Sequence, residues 1–271
     1  MNIINKKYKL IEKIGEGSFG LIYKGQNIRT GEYVAIKVET INSNIKLLKN
    51  ESIIYHYLNN TIGIPEVKWF GKDNINYYMV LKLLGSSLQT LKNQFKKFSL
   101  STTLKLGIKI IILLKTIHDK ELIHRDIKPE NFLLELNNEI SNIYIIDFGF
   151  CKSYKKEDHH IPFKDTHNLI GSQMYASINA HKFKELSRRD DLESLGYMLI
   201  YFYLGSLSWE NELVNDKIKS LKQDIIHNDN IPLVLIDYIK YILCLNFEET
   251  PNYSLIINNF KSEIELLKNN N

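Results

Sequence analysis

The chain has 271 residues, 44% of them hydrophobic and 24% charged, with a net charge of +4. That suffices for one core or two joined lobes, and the mild charge without a concentrated basic stripe argues against a nucleic-acid partner. Two cysteines, Cys151 and Cys244, form no disulfide framework and point to a reducing compartment, the cytoplasm and/or nucleus.

The opening Met-Asn-Ile-Ile-Asn-Lys-Lys lacks the apolar core of a secretion signal. Tyr8–Ile14 and Leu21–Lys24 then alternate like the arms of a hairpin, enclosing Gly15-Glu16-Gly17-Ser18-Phe19-Gly20-Leu21-Ile22. Glycines so spaced let a backbone turn sharply and approach phosphate oxygens, although the pattern alone is a weak signal. A dinucleotide fingerprint would open a helix here, whereas these flanks predict a flap between two strands. Val34-Ala35-Ile36-Lys37 reads as the next strand and sets one lysine among apolar neighbours, placed to reach phosphates. Such a lysine needs an anionic partner, and Glu51, on a helix predicted over Lys46–Leu58, is the choice.

Tyr77–Leu81 reads as the last strand of the first lobe. Ser99-Leu-Ser-Thr-Thr has the hydroxyls of a helix start, and Leu104–His118 repeats apolar residues at helical spacing. The longest apolar run, Ile108–Leu114, is broken by Lys109 and is too short to span a bilayer. His124-Arg125-Asp126-Ile127-Lys128-Pro129-Glu130-Asn131 follows, and Asp147-Phe148-Gly149 begins 21 residues after Asp126. The apolar run Ile143–Ile146 suits a hairpin that returns the second carboxylate toward the first. This set fits phosphoryl transfer, which is mostly positioning and charge neutralisation. Asp126 is the candidate base, Lys128 can touch the transferred group, and Asn131 and Asp147 can hold Mg²⁺. Histidine is a common general base, but His124 follows Leu122-Ile123 and reads as an inward structural ring; Cys151 reads as packing. From Asp190 the pattern is helical, ending in Tyr253–Leu267, with no internal repeat or second domain.

These motifs together resemble a eukaryotic-type protein kinase. The narrower resemblance is to the casein kinase 1 family of serine/threonine kinases. It is carried by Ile64–Phe70, Leu83-Leu84-Gly85-Ser86-Ser87-Leu88, Tyr175-Ala176-Ser177-Ile178-Asn179 and Ser187–Tyr197. The third stretch is the sharpest, because most protein kinases carry Ala-Pro-Glu there. The resemblance implies an α+β, bilobal fold in a single domain: a β-rich N-terminal lobe with one main helix over 1–81, a hinge over 82–85, and a mostly helical C-terminal lobe over 86–271. It implies ATP and Mg²⁺ as cofactors, with Ile14, the flap residues, Ala35 and Lys37 around the nucleotide. Leu81 would guard the back of the adenine pocket, Leu83 and Leu84 would offer backbone groups, Ser87 and Thr90 would lie near the ribose, and Leu133 and Ile146 would form an apolar floor.

A monomer acting on protein substrates is expected, with acidic or phosphorylated residues before the target Ser or Thr. Departures from the family pattern concern that preference. Met174 stands where the family has an arginine in Gly-Thr-Ala-Arg-Tyr-Ala-Ser, and His167 where it has a lysine. The basic cluster after Trp209 is thinned to Lys217, Lys219 and Lys222, while Arg125 and Lys152 remain as a partial anion site. Weakened recognition of a priming phosphate is therefore expected. Ser177-Ile178-Asn179 also lacks the glutamate that anchors this segment in most kinases, so other contacts, such as those near Arg188 and Asp191, must order it. Thr166 and Ser172 are possible phosphorylation sites, yet the resemblance implies activity without that modification. A non-catalytic scaffold would usually lack Lys37, Asp126 or Asp147, and a small-molecule kinase would lack Lys128-Pro129 and the Tyr175–Asn179 segment.

Overall fold

A computed structural model describes residues 3–17, 20–42, 47–136 and 142–269. The chain forms two compact units, one of residues 1–86 with 132–149, the other of residues 87–131 with 150–271. The first unit thus takes in the hairpin that follows the Asp126 loop, through Gly149.

The first unit is built on a six-stranded sheet ordered β1-β2-β3-β4-β6-β5, antiparallel throughout. Its strands are β1 (Ile3–Ile4), β2 (Tyr8–Gly17), β3 (Gly20–Asn27), β4 (Tyr33–Thr40), β5 (Val67–Lys72) and β6 (Asn76–Lys82). Alternation sends one side of each strand inward, so Tyr8, Val34, Ile36, Tyr78 and Val80 close over Ile4 with Leu10, Tyr23, Val38 and Trp69 around them. The glycine segment is the tip of the β2–β3 hairpin, where Gly15 pairs with Ile22 and Gly17 with Gly20. Gly20 is required by the sheet itself, since a Cβ there would sit 2.2 Å from the Val38 carbonyl oxygen. Helix α1 (Leu48–Tyr57) carries Glu51. The Glu39 carboxylate, at the end of β4, accepts from the Leu47 and Leu48 amides at 2.9 and 3.0 Å and so meets the unpaired donors at the start of α1. A short hairpin, Phe132–Leu134 against Ile143–Ile145, completes the unit.

The second unit is helical: α2 (Leu88–Phe95), α3 (Leu100–Asp119), α4 (Ile178–His181), α5 (Arg188–Leu204), α6 (Asn215–Asp224), α7 (Leu233–Cys244) and α8 (Tyr253–Asn269). Ser99 caps α3 by accepting from the Thr102 amide at 3.2 Å, as its hydroxyl predicts. Helix α5 is the centre, with Leu192 and Leu195–Phe202 buried, packed against α3 and α7, while α8 covers α3. No helix among the described residues is long and apolar enough to cross a membrane.

Candidate active site

In the first unit, the face of β4 sets Ala35 opposite Leu81 and Lys37 opposite Ile22 and Met79. Lys37 Nζ lies 2.6 Å from Glu51 Oε2 and 2.9 Å from Asp147 Oδ1. The glutamate expected to hold the lysine therefore does so, and the aspartate of Asp147-Phe148-Gly149 joins them. Glu51 is buried, and Tyr55, one turn on, stacks edge-on against Phe148 at 4.9 Å. Burial alone would depress the Lys37 ammonium, but the two carboxylates hold it above its ordinary range. Burial pushes Glu51 up to about 7, against the pull of Lys37. The direct contact with Lys37 at 2.6 Å favours the charged form of Glu51, while burial and the neighbouring Asp147 oppose it. The Asp147 backbone is left-handed, with φ 67°, a strained setting for a residue other than glycine.

The remaining positions assigned to nucleotide fall as follows. Gly15, Glu16, Gly20, Leu21 and Ile22 line the hairpin tip, with Glu16 exposed and paired with Lys13. Ile14 is exposed on β2. Ser18 and Phe19 lie outside the described residues. Leu83 is half-buried and Leu84 buried, and Gly85 and Ser86 are bonded to Leu134 of the short hairpin at 2.9 and 3.0 Å. Leu133 and Ile146 are half-buried in the same unit. Ser87, in the second unit, caps α2 by accepting from the Thr90 amide at 3.1 Å, and the two hydroxyls are bonded to each other.

In the second unit, the loop from His124 is hung from the start of α5. Asp191 accepts from the His124 and Arg125 amides, both at 2.8 Å, and from His118 at 3.0 Å, while His118 also meets the Tyr253 hydroxyl at 2.6 Å. Burial alone would raise the Asp191 carboxyl, but the His118 bond and charge, with the His124 amide, hold it below its usual range. Arg125 takes a left-handed backbone, φ 67°, that turns Asp126 away from this anchor. His124 is fully buried, and its Nδ1 accepts from the Asp126 amide at 3.3 Å, the geometry of a structural ring.

Each oxygen of Asp126 has an assigned partner. Oδ1 accepts from the Ser172 amide at 2.9 Å. Oδ2 accepts from Lys128 at 2.6 Å and from Asn131 Nδ2 at 3.3 Å, and the same amide nitrogen binds the Asp126 carbonyl at 2.8 Å. That orientation of Asn131 leaves its amide oxygen as the group for a hard cation. Gly171 makes the Ser172 contact possible: its φ is +90°, and a Cβ there would sit 2.5 Å from the Arg125 carbonyl oxygen.

The segment after Asp147-Phe148-Gly149 is ordered without the missing glutamate. Ser177 Oγ and Asn179 Nδ2 donate to Asp190 at 2.7 and 3.0 Å, and the Ile178 amide donates to Glu193 at 2.7 Å. Trp209 Nε1 donates to the Met174 carbonyl at 2.8 Å. The sequence pointed to contacts near Arg188 and Asp191, and the grip lies there: Asp190 and Glu193 hold the turn, Arg188 stacks on Tyr154 at 4.5 Å, and Asp191 itself serves the loop at His124.

Two expectations about positive charge need correction. Lys152 is not a free cation, since buried Glu185 pairs with it at 2.8 Å, while Arg125 Nε is spent on the Phe150 carbonyl at 2.6 Å. Of the lysines after Trp209, Lys217 and Lys219 pair with Glu212 and Asp216, both at 2.6 Å, and Lys222 is wholly buried. Periodicity cannot foresee this, because a lysine on an amphipathic helix reads as solvated. Glu39, Glu185 and Glu193 were missed for the same reason: their partners are set by tertiary packing.

A lysine held between two carboxylates, and an aspartate oriented by lysine, asparagine and a backbone amide, are suited to neutralising and orienting groups in phosphoryl transfer. Residues 8–259 match the protein kinase domain model, which accounts for most of the chain. The chain therefore belongs to the protein kinase family, whose members use ATP and a divalent metal.

Proposed function

We propose that this kinase transfers the γ-phosphoryl of MgATP to serine and threonine hydroxyls of proteins, in the manner of the casein kinase 1 family. The observation that carries the reading is Asp126, whose carboxylate is held from both sides by its own unit, with Lys128 at 2.6 Å. Asp126 orients the accepting hydroxyl and takes its proton, and Lys128 offsets charge on the transferring group. Lys37, steadied by Glu51, positions the α- and β-phosphates, and the glycine tip covers them through backbone amides. Asp147 offers a carboxylate and Asn131 an amide oxygen, each a hard oxygen donor of the kind that Mg²⁺ takes, the ion completing its shell with phosphates and water. When bound, that ion neutralises phosphate charge.

Serine/threonine specificity rests on the resemblance at Tyr175–Asn179 and Ser187–Tyr197. Met174 cannot pair with a phosphate, and Lys152, Lys217 and Lys219 already have carboxylate partners. We therefore assign a general acidic preference with weak recognition of a priming phosphate. A charge-assisted bond to phosphate is worth about 1.5–3 kcal/mol, so each one lost weakens recognition by roughly 10- to 150-fold.

The test is transfer of radiolabelled phosphate from ATP to acidic, primed and unprimed serine peptides, with Asp126→Asn as control. Loss of a general base lowers the rate by about 10²–10⁴-fold. Equal labelling by the control enzyme would remove Asp126 from this role.

A further inference from the structure

Lys222 is a buried charged group of the second unit that the reaction above leaves without a task. It is fully enclosed on α6, beside the rings of Tyr197 and Trp209 at 4.8 and 5.5 Å. Its three donors meet three acceptors: the Ala176 carbonyl at 2.6 Å, the Gln173 carbonyl at 3.1 Å and His181 Nε2 at 3.0 Å. With Trp209 on the Met174 carbonyl, three carbonyls of the Gln173–Ala176 stretch are gripped from one side. On the other side, one residue earlier, the Ser172 amide fixes Asp126 Oδ1. The segment is therefore a short bridge between the lysine and the candidate base.

We propose that Lys222 is a positioning residue for protein substrate, which holds the Ser172–Ser177 backbone in the register that presents an acceptor hydroxyl to Asp126. This rests on the kinase reading above. A buried ion is a poor source of stability, because its desolvation opposes its contacts; Lys222 satisfies carbonyls of a loop that a purely apolar side chain would leave mobile and unpaired. The other charged or titratable groups around it are Glu193 and Tyr197 on α5, His181 on α4 and, through His181, Lys219 on α6. Glu193 supplies the attraction that favours the ammonium, and the Ile178 amide ties that carboxylate to the same segment.

Lys222→Met keeps the length and removes the charge, and Trp209→Phe removes only the bond to Met174. For Lys222→Met, steady-state kinetics with a serine peptide should give a KM for peptide raised about tenfold, with the KM for ATP within about twofold. Trp209→Phe should raise the peptide KM by about two- to tenfold. Peptide and ATP KM both unchanged, or rising together, in folded Lys222→Met would overturn the proposal. If that variant does not fold, an unchanged peptide KM in Trp209→Phe overturns it instead. Amide exchange of Ser172 is read in parallel on the same proteins and should accelerate in whichever variant folds; unaltered exchange counts against the proposal. A wild-type chain that labels no peptide would sink the kinase reading, and the exchange result would still judge Lys222.

Discussion

Two lysines, Lys37 in the first unit and Lys222 in the second, sit largely out of solvent among polar partners, and they do it in opposite ways. Lys37 faces two carboxylates, at 2.6 and 2.9 Å, and is held above its ordinary range. Lys222 faces two carbonyls and a histidine ring, and burial, only partly opposed by the charge of Glu193, lowers it to about 7. Burial penalises the charged form in both places, and full countercharge in direct contact reverses the penalty whereas dipoles alone do not. A lysine meant to meet phosphates must stay charged; one that organises a loop needs only donors.

The largest expected effect that could break this contrast is on Lys37. Lys37→Met should lower kcat by about 10²–10³-fold, the scale of losing one preorganised electrostatic group, with little change in peptide KM. A kcat within tenfold of wild type would make the ion cluster a structural one and end the comparison. Next comes Asp191, a buried carboxylate of the second unit with several donors. Asp191→Ala should cost about 3–5 kcal/mol of stability in denaturant unfolding, because it strands buried His118 and two backbone amides. Since the folded Asp191 carboxyl is depressed, its contribution is present above the ordinary value of 3.8 and disappears as pH falls through the lower folded value. The acid limb of the stability curve should accordingly flatten in Asp191→Asn.

A sharper reading of the two lysines comes from pH. With the Lys222 pKa lowered from 10.5 to about 7, the unfolded chain binds more protons in that window. Stability from this group is therefore full above 10.5 and is lost as pH falls toward 7. Glu193, raised by burial from 4.5 to about 7, slopes the other way, losing its contribution as pH rises through that range. Thermal unfolding from pH 6 to 10, buffers chosen around these two values, should show the alkaline rise in wild type and its loss in Lys222→Met. A side-chain ¹⁵N titration in which Lys222 stays protonated as long as Lys37 would erase the contrast. The smallest effect concerns priming: a phosphoserine before the target should improve kcat/KM by less than about tenfold over an aspartate at that site. A larger gain would mean that Glu185 yields Lys152 to the substrate.

Much of the chemistry could be read along the chain because its residues are close in sequence. Asp126, Lys128 and Asn131 lie within one loop, and their mutual bonds follow from that spacing. The hairpin around the glycines was legible from alternation, and the pairing of Gly15 with Ile22 matches it. The α+β, two-lobed architecture was legible too, since strand periodicity dominates the first eighty residues or so and helical periodicity the rest. Even Lys37 with Glu51, 14 residues apart, could be reached through the chemical need for a counter-ion.

Which charges are buried, and against what, was decided only by the folded chain. Glu39 at the head of α1, Glu185 on Lys152, and Lys222 under Gln173 and Ala176 carry no local signal, because a charged side chain in sequence looks the same whether it faces water or a carbonyl. The sequence by itself determined the reacting groups and the periodicity of the two units. Tertiary packing determined the dielectric around each charge and the partner it meets, and these follow from contacts between separate elements, from eight positions apart for Glu39 to 49 for Lys222.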